Sequence, residues 1–138
     1  MLRKIEAAMQ GKVHQLPPSA TVHEAAQLMK ARDCGSVVIT EGGKLRGIFT
    51  SGDLVKRVAA EARDPAKTRL AQVMTPKPDT VTRAALAIDA LRMMQDGHYR
   101  HLPVVERGRL LGIVSRRDFF GQEFSIVEEE NHFSEVLR

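Results

Sequence analysis

At 138 residues, 43% of them hydrophobic, the chain has the material for a packed core, and it holds no run of eighteen apolar residues that could cross a membrane. Its single cysteine, Cys34, excludes an internal disulfide and a thiol cluster for zinc or iron. With 21 Lys+Arg against 17 Asp+Glu the formal charge is +4, a weak bias toward anionic ligands, while 4% aromatic content without Trp offers little for the stacking platforms of single-stranded nucleic acid binders.

The first residues, MLRKIEAAMQGK, carry charges where a secretory signal would be apolar, so the chain reads as soluble and cytoplasmic, with neither membrane nor nucleic acid as its partner. Val13 to Leu16 reads as an extended segment. From Thr21 to Arg32, Val22, Ala25, Ala26, Leu28 and Met29 follow helical spacing and predict an amphipathic helix with Leu28 and Met29 in the core. The β-rich runs SVVIT and LRGIFT, joined by Glu41-Gly42-Gly43-Lys44, predict a hairpin, because glycine takes positive φ there at no steric cost. A second helix is expected over Gly52 to Ala62. The polar stretch EARDPAKTR, broken by Pro65, is the natural connection, giving a linker over 57–68.

The same order then recurs. Asp79 to Thr82 reads as extended, and Ala87 to Asp96 as a helix with Met93 and Met94 in the core. HLPVV and LLGIVS form a hairpin through Glu106-Arg107-Gly108-Arg109, and Arg116 to Gln122 reads as a second helix. The tail over 122–138 is expected to be helical, with Phe124, Val127, Phe133, Val136 and Leu137 as apolar points and Glu128 to Glu130 as a solvated run. It serves either as a cap over the core or as a contact for a dimer or partner.

These parallels are one ungapped repeat: 112 − 47 and 118 − 53 both give 65, the offset of Gly47/Gly112 and Asp53/Asp118. The same offset relates Met9/Met74, Lys12/Lys77, Ala25/Ala90, Met29/Met94, Glu41/Glu106, Gly43/Gly108, Leu45/Leu110 and Ile48/Ile113. The first copy runs over 4–56 and the second over 69–121. The fold class is α+β, each copy a strand-helix-strand-strand-helix unit. A unit of this size that cannot close its own core buries it against its copy, so the two are expected to pack together.

The sharpest local feature is GIFTSGD (Gly47 to Asp53) with its copy GIVSRRD (Gly112 to Asp118). Thr50-x-x-Asp53 and Ser115-x-x-Asp118 both suit a helix start, the hydroxyl as N-cap and the carboxylate favoured in the first turn, and capping alone would explain either one. A helix N-terminus beside a strand end is also an anion site, and a carboxylate there can accept from the two vicinal hydroxyls of a ribose. Arg116 and Arg117 add cations in the second copy where the first has Ser51 and Gly52, so the two sites should differ in affinity.

The doubled element order, GIFTSGD and GIVSRRD, the RHLPVV strand entry (Arg100 to Val105) and VMTP (Val73 to Pro76) resemble the CBS domain family. The likeness to a tandem CBS pair, or Bateman module, extends over Lys4 to Gly121. The resemblance implies two pseudo-twofold-related units packed through their sheets, with clefts that take adenosyl ligands such as AMP, ADP, ATP, NAD or S-adenosylmethionine. It also implies a homodimer and a regulated protein partner. Carried over by position, it puts ribose on Asp53 and Asp118, phosphate or ribose contacts on Thr50 and Ser115, and adenine packing on Ile48 and Ile113. To the Asp53 cleft it adds Asp79, Tyr99 and Arg100, and to the Asp118 cleft His14, Cys34 and Gly35. The first copy departs from the pattern where CGSVVI replaces an LPVV-like strand entry.

His98 and His101 have no third metal ligand beside them in the sequence, and His101 is better placed to face a ligand phosphate. No nucleophile with an adjacent base is visible, and the repeat accounts for the matched carboxylates without separate acid and base roles, so no enzyme, catalytic residue or required cofactor is expected. The leading expectation is a regulatory module that binds adenine nucleotide. The alternative is a structural dimerisation module whose motifs only cap helices.

Overall fold

A computed structural model describes the backbone of residues 2–137 and the side chains of residues 2–132. The Phe133, Val136 and Leu137 side chains of the expected tail therefore lie outside the described residues. The chain divides into two compact units that are not contiguous in sequence. One, the Asp53 unit, comprises residues 12–78 and 107–110. The other, the Asp118 unit, comprises residues 2–11, 79–106 and 111–137.

In the Asp53 unit, β1 (Gln15–Leu16) pairs parallel with β2 (Ser36–Glu41), β2 pairs antiparallel with β3 (Lys44–Thr50), and β3 pairs antiparallel with β4 (Thr75–Pro76). Helix α2 (Val22–Arg32) connects β1 to β2 as the crossover that a parallel pair requires. Thr21 is its N-cap and accepts from the Glu24 N–H, and Asp33 ends it in the left-handed conformation at φ 49°. The β2–β3 connection is two residues long with both φ positive (Gly42 58°, Gly43 78°), the hairpin turn whose twist matches that of its strands. After β3 the chain makes one helical turn, α3 (Ser51–Asp53), and widens into a π-helical segment, Leu54–Ala59. The helix expected over Gly52 to Ala62 is thus shorter and of mixed type. Helix α4 (Leu70–Val73) leads into β4, and Leu70 and Val73 complete a core with Val22, Ala25, Met29, Val37, Ile39, Phe49 and Val58.

The Asp118 unit repeats this plan. Its strands β5 (His101–Glu106) and β6 (Arg109–Ser115) form a hairpin through Arg107 (φ 51°) and Gly108 (φ 78°), the tip residues 107–110 being the part of it that groups with the Asp53 unit. The extended segment expected over Asp79 to Thr82 makes only a single bridge, Val81 parallel to Val104, the counterpart of Leu16 and Ile39. Helix α5 (Ala87–Gly97) supplies Ala87, Ala90, Leu91 and Met94 to the core, and α1 (Ile5–Ala8) supplies Ile5 and Ala8. Met93 and Leu28 are half-buried against their cores, as expected for their helical faces.

The second helix expected over Arg116 to Gln122 does not form. Arg116–Asp118 is a 3₁₀ turn, Phe119 reverts to extended backbone (φ −95°, ψ 151°), and helix α6 (Gly121–Leu137) starts afresh. The reason lies in packing: the extended step at Phe119 buries its ring in the core, edge-on to Phe124 at 6.4 Å between centroids.

Candidate functional site: the duplicated carboxylate locks

Each unit takes its first short helix from the other sequence copy. Residues 2–11 belong by sequence to the first copy but lie in the Asp118 unit; Leu70 to Pro78 belong to the second but lie in the Asp53 unit. The exchange obeys the repeat in atomic detail. Ile5 N–H donates to the Ala85 carbonyl at 2.8 Å, and Leu70 N–H to the Ala20 carbonyl at 2.8 Å. Gln10 bridges Ile113, and Thr75 pairs with Ile48.

The glycine that opens each motif is required by this exchange. A Cβ on Gly112 would lie 2.6 Å from the Gln10 carbonyl oxygen; one on Gly47 would meet Met74 Sδ at 2.7 Å and the Thr75 carbonyl oxygen at 2.8 Å. Backbone therefore approaches backbone where any side chain would intrude.

In the Asp53 unit, Thr50 and Asp53 form a reciprocal lock. The Thr50 N–H and hydroxyl donate to Asp53 Oδ2 at 3.0 and 3.2 Å, and the Asp53 N–H approaches Thr50 Oγ1 at 3.3 Å. The other carboxylate oxygen, Oδ1, accepts from the Thr75 hydroxyl at 3.3 Å and pairs with Arg57 Nε at 3.5 Å. Arg57 Nη1 also donates to the Met74 carbonyl at 2.9 Å. Asp53 is only 9% exposed.

In the Asp118 unit, the Ser115 N–H and hydroxyl donate to Asp118 Oδ2 at 2.7 and 3.1 Å, and Gln10 Nε2 donates to Oδ1 at 3.1 Å. Gln10 and Thr75 occupy equivalent positions, since 75 − 10 is again 65. The position of Arg57 is held in the second copy by Gln122, and among the described residues no cation forms an ion pair with Asp118.

The helix-terminus argument for anion binding is narrowed by this geometry. In the second copy the helix is one 3₁₀ turn, too short for a macrodipole, and the Arg116 N–H is taken by the Arg100 carbonyl at 2.9 Å. In the first copy the Ser51 N–H is taken by the Gly35 carbonyl at 3.0 Å. Attraction for an anion near Asp118 therefore falls to side chains. Arg100 and Arg117 are exposed, whereas the Arg116 guanidinium lies over the Phe124 ring at 5.3 Å. The half-buried His101 imidazole is held below its ordinary value of 6.5: burial is the main cause, Arg117 and Arg100 push the same way, and Asp118 opposes them.

The remaining expected residues divide between the units. His14, Cys34, Gly35 and Ile48 lie in the Asp53 unit, where the His14 carbonyl accepts from the Val38 N–H and Cys34 Sγ reaches the Ser36 carbonyl at 3.5 Å. Ile48 is buried, while Ile113 in the Asp118 unit is half-buried. Asp79 and Tyr99 also lie in the Asp118 unit, joined by a 2.8 Å hydrogen bond from the phenol to Asp79 Oδ2. Burial and that bond hold the Tyr99 hydroxyl well above its ordinary value, so it stays a protonated donor.

Sequence reasoning passed over Gln10, Thr75, Arg57 and Arg3. Gln10 and Thr75 sit in register but differ in type, so a search for identities skips them. Arg57 lies four residues after Asp53, the spacing of a helical ion pair, and was legible. Arg3 donates to the Asp118 carbonyl at 3.1 Å and to both Glu123 oxygens at 2.7 and 3.2 Å, a clamp that nothing local in the sequence announces.

The family model described as CBS domain matches residues 3–60 and 70–122. The CBS domain-containing protein YhcV of Bacillus subtilis is 30% identical over 124 residues, covering 90% of this chain and 88% of that one. A CBS-domain containing protein from Agrobacterium tumefaciens, solved by crystallography, superposes with a TM-score of 0.73 at 34% identity over 78% of this chain and 86% of its own. The hexameric CBS-CP12 protein from bloom-forming cyanobacteria superposes at 0.79 with 28% identity, over 86% of this chain and 70% of its own. The chain spans only about a fifth of the CBS domain-containing relatives it matches in Arabidopsis thaliana, 17% of one and 21% of another. With both copies matched and the α+β architecture shared, the protein belongs to the CBS domain family, as a tandem pair of CBS repeats.

Proposed function

We propose that this CBS pair is a regulatory module that binds an adenine nucleotide, of the AMP, ADP, ATP or NAD class, and through it controls its own assembly or a protein partner. The observation that carries this reading is Asp118. Its Oδ2 is fixed by Ser115, while its Oδ1 holds, among the described residues, only the exposed side-chain amide of Gln10. A ribose diol can replace that amide with two donors to an ionised acceptor, and Arg100, Arg117 and the neutral His101 supply charge and hydrogen bonding for phosphate. The family's adenosyl ligands supply the chemical class. Asp79, Tyr99, His14, Cys34 and Gly35 enter as contacts that the family pattern adds.

Titration calorimetry with AMP, ATP, NAD and S-adenosylmethionine tests the reading. At least one should bind the folded chain, and Asp118→Ala should weaken it by about tenfold or more, the worth of a charge-assisted hydrogen bond. Binding by none of the four, or an Asp118→Ala variant that loses stability but no affinity, would return these motifs to helix capping. A structural role in assembly is the second reading, favoured by the likeness to a hexameric CBS-CP12 protein. Sedimentation with and without nucleotide separates the two: ligand-dependent assembly supports regulation, and assembly without any nucleotide affinity supports the structural role.

A further inference from the structure

The two locks look alike in sequence but differ in what is left over. Asp118 has one oxygen fixed and one held by a surface glutamine amide. Asp53 has both oxygens engaged: Oδ2 by Thr50, Oδ1 by the Thr75 hydroxyl and the Arg57 guanidinium. Arg57 is itself tethered, donating to the Met74 carbonyl at 2.9 Å and more weakly to the Val73 carbonyl at 3.4 Å. It thus spans from the carboxylate to the backbone that leads into β4. A diol arriving at the nearly buried Asp53 would have to displace both the Thr75 hydroxyl and a half-exposed cation that the Met74 carbonyl holds in place. At Asp118 it displaces one neutral amide that water can satisfy.

We propose that Arg57 latches the first repeat's carboxylate shut, so that the chain takes a single nucleotide, at Asp118, and the Asp53 lock serves to fasten β4 to the start of α3. This rests on the nucleotide reading above. Arg57 is then the residue that sets the stoichiometry, and Gln122, its counterpart beside Asp118, is the substitution that leaves the second site open.

Calorimetry on the full chain with ATP as the probe should give one ATP per chain, retained in Asp53→Asn and abolished in Asp118→Asn. Arg57→Gln should raise the count to two, because it removes the cation while keeping an amide for the carbonyls. Two ATP bound by the unaltered chain, or a single site that survives Asp118→Asn and disappears with Asp53→Asn, overturns the latch, as does a count that stays at one in Arg57→Gln. If ATP binds nowhere, the nucleotide reading fails while the latch remains open to test without ligand. Arg57→Gln and Asp53→Asn then form a cycle in thermal unfolding, in which the double variant should lose less Tm than the two singles together. Additive losses would show that the pair is not coupled.

Discussion

Gly47 and Gly112 carry much of the motif's meaning, and their reason is steric. Both stand where the exchanged segment crosses β3 or β6, and the closest obstacle to a Cβ at Gly112 is backbone, which cannot swing aside. Gly112→Ala should therefore cost about 1–3 kcal/mol, the usual range for forcing extra volume into a packed site, read as a drop in denaturant midpoint. Gly121, which has nothing within 4 Å of a Cβ, is the control and should lose at most a few tenths.

His101 gives a pH dependence of definite sign. Its folded value lies below 6.5, so the unfolded chain binds the proton first as pH falls. The stability contributed by the neutral imidazole is complete above 6.5 and is lost as pH falls through the lowered folded value. Unfolding free energy should slope downward across that window, and His101→Gln should flatten the slope. A phosphate beside His101 would favour the imidazolium, so nucleotide binding near pH 6 should take up a proton, seen as a calorimetric heat that varies with the buffer's ionisation enthalpy.

Among the elements, α6 (Gly121–Leu137) forms where the tail over 122–138 was expected to be helical, but what fixes its start is not local. Its start is set by a clamp between distant residues: Arg3 donates to Glu123, stacks 3.7 Å over Phe120, and holds the Asp118 carbonyl, while Glu123 Oε1 accepts from the Phe120 N–H at 2.8 Å. Burial alone would raise the Glu123 carboxyl, but the bonds from Arg3 and the Phe120 N–H outweigh it and hold the group below its ordinary value of 4.5. The clamp therefore stabilises fully above 4.5 and weakens as pH falls through the lowered value. Further along, Arg92 of α5 bridges Glu130 of α6 through two nitrogens. Glu123→Gln should cost about 2 kcal/mol, because it leaves the half-buried Arg3 without its partner. Amide exchange should quicken first over 119–127, ahead of β5; uniform acceleration across the unit would mean the clamp is not local.

At the scale of the molecule, the exchanged N-terminal segments make each compact unit depend on both sequence copies. Ile5 is fully buried in the Asp118 unit and Leu70 in the Asp53 unit, each contributing about 1.5–3 kcal/mol of apolar burial. Removing residues 1–11 should accordingly expose α5, β5 and β6 to amide exchange while β2 and β3, of the same sequence copy as the deleted segment, stay protected. Loss of protection in β2 and β3 first would contradict the assignment of that segment.

The duplication, its 65-residue offset, both hairpins, both crossover helices and the matched aspartates were legible from the residues alone. Each rests on local chemistry: period, turn glycines, a hydroxyl three residues before a carboxylate. The family likeness followed from the same features. The tertiary structure decided which copy's first helix closes which core, why each motif begins with glycine, that the second copy's helix breaks at Phe119, and that Arg57 engages one aspartate while, among the described residues, the other has no ion pair. Apart from Arg57, whose spacing of four from Asp53 was legible, these depend on packing against residues distant in sequence, and a repeat that matches both copies equally well cannot say which copy a segment will pack against.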